Sequence, residues 1–522
     1  MSHSHDIAEK EGEAVVTTKA LHSEPTLKRN ISALAIVGLA LSICVRNGWA
    51  AMSSTIVIGL SQGGTPVIIY GLIGTSIINV FLASTLAELS AAWPTAGGQY
   101  VWASILAGPK WRRSVSFAVG WATIFEWITT TASVIMISAE VIVGLVDTYH
   151  PGFEVQRWQV FLIFLAVNSI STFNNLFVLS RLPSIGTMFL VFSTLIYLSI
   201  MITCPAAAET HQSNEFVWAT YRNDIGWTEK FIVVATGLVN PAYVFAGIDG
   251  AVHIAEDCLD PARSVPYSLF ATVGAGLFTG LTFSIALLYS IQDVDVAAAA
   301  ELPFLEIIVQ ATRSRAAGAI FMSAFLCVLM VSSNSVHHAT SRLIWSFARD
   351  KGMPLSDKVA HVHPKLRVPV IPILISWFGV TVLGVLYVAS TTVYGSIISC
   401  CIILGNISYA ILAIQLMMCG RNINPNRWLK LGWFGWLSNV VTVLWTVFTT
   451  VVWLFPTTPH PSGSEMNYSV AVLGAMALIA VIDWYVHGRK HFVGPDDTPL
   501  AHEPKEGVLG TPQDHESGEY HQ

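Results

Sequence analysis

The stretch Val239-Asn240-Pro241-Ala242-Tyr243-Val244-Phe245-Ala246-Gly247-Ile248-Asp249-Gly250 decides the fold. It interrupts an apolar run that opens at Phe231 and resumes at Ala251. Proline removes a backbone donor, glycine weakens a helix, and a carboxylate at membrane depth is costly. The stretch therefore predicts a membrane helix broken at its middle. Lipid does not tolerate such backbone unless protein or a water-filled cavity surrounds it. A second interruption, Arg46-Asn47-Gly48-Trp49, splits the apolar run 31–60 in the same way.

A hydrocarbon core of about 30 Å takes about 20 apolar residues per helix. Runs of that kind fall near 31–60, 65–87, 114–141, 158–178, 184–204, 230–255, 266–290, 316–341, 370–390, 393–418, 432–455 and 467–486, about twelve spans in all. The link between the ninth and tenth is the hardest boundary to draw. The two interruptions fall in the first and sixth spans, so each broken helix has its counterpart five helices away. That spacing marks two five-helix repeats of inverted topology, with the substrate between the broken helices near the midplane. The expected fold class is an all-α membrane protein of two repeats, about 30–204 and 230–418, and two further helices, about 432–486.

Composition agrees. Of 522 residues, 53% are hydrophobic and 11% charged, against about 25% charged in soluble domains. The net charge of −6 offers no basic face for nucleic acid. The seven cysteines show no metal or disulfide spacing, and no Walker loop or HExxH motif is present, so neither cofactor nor metal is expected. Residues 1–29 and 488–522 read as disordered tails. Lys and Arg concentrate in alternate loops, and the opposite side holds only Arg157, Arg222, Lys230, Arg313 and Arg315. Basic loops stay inside, which predicts a multi-pass protein with both termini cytoplasmic.

Three motifs carry a family resemblance. They are Glu88-Leu-Ser-Ala-Ala-Trp-Pro94-Thr-Ala-Gly97-Gly98-Gln99-Tyr100-Val-Trp102, the sixth-span stretch continued through His253-Ile-Ala-Glu256-Asp257 to Pro266, and Ser341-Arg342-Leu-Ile-Trp345-Ser-Phe-Ala-Arg349-Asp350-Lys-Gly352-Met-Pro354. They occur in the order found in the amino acid–polyamine–organocation superfamily, and the chain resembles its fungal amino acid/choline permeases over roughly residues 30–490. The resemblance implies a twelve-helix, LeuT-like permease that moves amino acids, choline or related amines by alternating access. It implies import across the plasma membrane as the default.

Arg46, Glu126 and Asp249 are charges inside the first, third and sixth spans, and an intramembrane charge is a functional residue by default. Arg46 would pair with Glu126 or Asp249. The expected substrate set is Arg46, Asn47, Gly48, Trp49, Glu126, Phe245, Gly247 and Asp249. Aromatic faces beside a carboxylate suit an ammonium group; Trp121, Trp127 and Tyr243 are further aromatics near the breaks. Gly97 and Gly98 are expected to serve gating. His253 is placed as a proton relay, and Ser332 and Ser333 as a coupling-ion site. The coupling ion is expected to be a proton, with sodium as the alternative. The function expected is a secondary transporter of a small amine-containing solute. Export of an amine metabolite such as an alkaloid is the rival within that class. A non-transporting nutrient sensor is the rival outside it. No catalytic set points to an enzyme.

Overall fold

The computed structural model describes residues 48–150, 154–178, 182–389, 393–421, 423, 427–461 and 466–495. Ten helices among them are long and apolar enough to cross a membrane. In order they are the second span Thr65–Ala92, the third Arg112–Tyr149, the fourth Arg157–Phe177, the fifth Leu182–Ala207, the seventh Pro261–Ser290, the eighth Arg315–Arg349, the ninth Val370–Ala389, the tenth Val393–Met418, the eleventh Gly432–Val452 and the twelfth from Ser469. The other two expected spans are the interrupted ones. The first is described only from Gly48 and divides into Trp49–Ser54 and Ile56–Ser61. The sixth is split into Lys230–Gly237, Val239–Tyr243 and Gly250–His253.

Sequence and local structure agree on why the helices start where they do. Proline, whose missing N–H costs nothing at a helix start, stands at the N-termini of the second, seventh and Pro303–Thr312 helices. Ser314 opens the eighth span by accepting from Ala317 N at 3.2 Å. The third and eighth spans run beyond the apolar windows that announce them. A helix can continue past the lipid into water, and Arg349 in the last turn of the eighth suits the helix dipole there.

The packing pairs spans from the two halves of the chain. The second span packs most extensively on the seventh, the third equally on the eighth and the tenth, the fourth on the ninth, and the broken first on the broken sixth. The first four spans thus each meet the span five places later. The most apolar windows of the third and tenth spans are 83% buried, and that of the twelfth is 11% buried. The third and tenth therefore form the interior wall, and the twelfth lies at the periphery, facing lipid.

A buried ion cluster holds the Glu88 end of the second span. Glu88 is fully buried and pairs with Arg421, and it also accepts from Arg427 Nε at 3.0 Å and Nη2 at 2.8 Å. Arg421 Nη1 donates to Gly435 O at 2.8 Å, so the cluster also fixes the start of the eleventh span.

Candidate functional site

The two breaks are joined directly. Asn240, fully buried in the interrupted sixth helix, donates its side-chain amide to Thr55 Oγ1 at 2.6 Å and to Met52 O at 3.3 Å. Thr55 is the residue that divides the first helix, with φ −120°. Each break has a glycine at its turn. Gly48 has φ +85°, and a Cβ there would collide with Thr279 Oγ1. Gly247 has φ +74°, and a Cβ would stand 3.5 Å from Trp127. Positive φ turns the backbone at Gly48, ahead of Trp49–Ser54, and at Gly247, between Val239–Tyr243 and Gly250–His253.

Asp249 follows the second break and is fully buried. Its Oδ2 accepts from Gln99 Nε2 at 2.5 Å and from Trp127 Nε1 at 3.2 Å, and lies 2.9 Å from His253 Nε2. His253 Nδ1 is 3.0 Å from Ala96 O. The loop 93–98 and the short helix Gln99–Leu106 are therefore fastened beneath the break by two side chains of the sixth segment. Gly98 lies against Val252 and His253, and Gly97 is buried in the same loop. Further along, Arg349 of the eighth span donates to Glu256 at 3.1 and 3.2 Å, and Tyr100 Oη donates to Asp350 at 2.8 Å. These contacts close the end of the molecule that carries the loop.

On the other side of the break lies a cavity of about 10 Å³. Glu126, Phe245 and Gly247 line it, together with Asn79, Tyr409 and Trp445. Glu126 is buried; its Oε1 accepts from Tyr409 Oη at 3.3 Å, while Oε2 accepts no hydrogen bond. Gly405 allows this approach, since a Cβ there would stand 2.5 Å from Oε1. A buried carboxylate with a free oxygen and aromatic rings beside it is the chemistry that accepts an alkylammonium. The space is about that of one water, so the structure is closed around it.

The expected site residues separate into groups. Glu126, Phe245 and Gly247 meet at the cavity. Asp249 and His253 lie together with Gln99 and the Gly97–Gly98 loop. Trp49 does not line the cavity; its ring packs at 5.2 Å from Phe283, 5.5 Å from Phe325 and 6.5 Å from Tyr197. Ser332 and Ser333 are buried in the eighth span, where Ser333 Oγ donates to Leu329 O at 2.8 Å. Arg46 and Asn47 lie outside the described residues. Sequence reading did not single out Asn79, Gln99, Tyr409 or Trp445. Asn79 left a signal, an amide in the middle of the apolar run 65–87.

Comparison with known proteins adds an independent line. The amino acid permease family model matches residues 31–477. The choline transporter of Saccharomyces cerevisiae is 34% identical, over 91% of this chain and 84% of its own length. The swainsonine transporter of Arthroderma benhamiae is 29% identical, over 83% of this chain and 86% of its own. An amino-acid permease of Arabidopsis thaliana is 25% identical, over 93% and 97% respectively.

Proposed function

The chain belongs to the amino acid permease family, and from that premise we propose that it carries a small amine, choline or a related nitrogen compound, by alternating access at the Glu126 cavity. It is a multi-pass membrane transporter with a small-molecule substrate. What supports an amine is Glu126, whose Oε2 accepts no hydrogen bond and which lines the cavity together with Phe245 and Trp445. A carboxylate buried at that depth is stabilised by a counter-charge, and a substrate ammonium supplies one.

In this reading Asp249 serves the gate. Its Oδ2 is taken up by Gln99, Trp127 and His253, which ties it to the loop. Opening toward the loop side separates Gln99 from Asp249 and Glu256 from Arg349. His253, bonded to both Asp249 and Ala96 O, stands where a coupling proton would enter or leave. We assign the gate end and both termini to the cytoplasm, a reading the basic loops support, and the plasma membrane as the membrane.

Direction follows the family default of import. The relatives named swainsonine transporters support the second reading, export of an amine metabolite. The deciding experiment is uptake of labelled choline and amino acids into proteoliposomes at two pH values, with and without sodium. Import of an amine driven by a proton gradient is the expected result. An absence of uptake for every amine, with outward flux alone, would overturn the import reading.

A further inference from the structure

A second carboxylate in the third span has no place in the function described so far. Glu140 lies fourteen residues beyond Glu126, which at about 1.5 Å per residue puts it roughly 21 Å further along the helix, toward the Tyr149 end. Among the described residues its carboxylate makes no hydrogen bond and no ion pair. It lines a separate cavity of about 20 Å³, walled by Ser53 and Ser54 of the first span, Phe304 of the Pro303–Thr312 helix, and Met322 and Phe325 of the eighth span. Two of the lining side chains are rings, Phe304 and Phe325, and Trp49 packs behind Phe325. Phe304 and Phe325 stand 5.3 Å apart, and Phe325 and Trp49 5.5 Å, so the rings lead from this cavity to the break at Gly48.

We infer that this cavity is an outer capture site for organic cations, in which Glu140 draws an ammonium group from solution and the Phe304–Phe325–Trp49 rings lead it inward. The inference rests on the orientation given above, which puts the Tyr149 end outside. The chemistry is a carboxylate with no cation of its own, beside aromatic faces and apolar walls; that combination accepts quaternary or alkylated ammonium ions and rejects anions. The walls explain the choice of cation. Among the described side chains named above, the other polar groups are the hydroxyls of Ser53 and Ser54, which bond back to Trp49 O and Ala51 O at 2.5 and 2.9 Å. A small hydrated metal ion would find too few oxygen ligands. An alkylammonium asks for one charge and several rings.

The test reads charge selectivity without relying on transport. Ser54→Cys, in the full-length protein in proteoliposomes, is modified from outside with methanethiosulfonates carrying either a trimethylammonium or a sulfonate group. Rates are corrected by those of the parent chain. The cationic reagent is expected to react about ten-fold faster than the anionic one. Adding Glu140→Gln should bring the two rates together, and Glu140→Asp should keep them apart. In parallel, Glu140→Gln should raise the KM for external choline several-fold and leave kcat near its original value. A rate ratio indifferent to Glu140→Gln overturns the capture site, and so does a cysteine that neither reagent reaches. A charge preference that depends on Glu140, in a protein that transports no amine, would leave the capture site standing and remove the proposed substrate instead.

Discussion

Gln99 donates to Asp249 Oδ2 at 2.5 Å, joining a loop at one face of the molecule to a carboxylate at the break of the sixth helix. A hydrogen bond to a charged group contributes about 1.5–3 kcal/mol. Gln99→Ala should therefore shift the balance toward the state open on the loop side by about that amount. Hydrogen–deuterium exchange over residues 94–100 should rise by an order of magnitude or more. Exchange identical to the parent protein would show that the loop is held by other contacts.

Glu126→Gln keeps the shape and removes the charge. Loss of one direct charge–ammonium contact in a low-dielectric site should weaken binding of a cationic amine by at least about ten-fold, or about 1.4 kcal/mol. Binding of choline to the purified variant, followed by its thermal shift, measures this. A Kd unaffected by the change would move the substrate away from this cavity.

The two break glycines should differ in how they fail. At Gly247 an added methyl meets only ordinary contacts, so Gly247→Ala should cost the left-handed backbone strain of about 1–2 kcal/mol and give a folded protein with slowed transport. At Gly48 the methyl collides with Thr279, so Gly48→Ala should lower the yield and the unfolding temperature more. Adding Thr279→Ala should restore part of that loss. An unfolding temperature for Gly48→Ala equal to that of Gly247→Ala would contradict the packing described.

Glu88 is buried between two arginines. Removing one partner from such a cluster leaves charge uncompensated and costs about 3–5 kcal/mol. Glu88→Gln should unfold at a lower temperature, with the connection between the tenth and eleventh spans losing protection first. Protease sensitivity confined to some other loop would argue against the cluster as the fastening point.

Much of the fold was legible because lipid imposes a length on apolar runs, and the second to fifth and seventh to twelfth spans begin within a few residues of the expected positions. The end of the eighth span was not legible, since Arg342 and Arg349 look like loop residues although the helix carries them. The carboxylates Glu126 and Asp249 stood out as charges inside apolar runs. Their separate hydrogen-bond partners did not, because these are Gln99 and Tyr409, which are 150 and 283 residues away along the chain. Trp49 adjoins a break in the sequence, but adjacency along the chain does not say which side of a helix a ring faces. Glu140 sits at the edge of its apolar window, where a charge reads as the end of the membrane.

The Asn240 amide has a mechanical consequence. It grips the first helix at Thr55 and Met52, on the far side of the break from the Gln99 latch. Pulling the sixth helix one way therefore drags the first helix with it, like two arms of a lever on one pivot. The two broken helices, held at that point, are then bound to travel as one body rather than slide past each other.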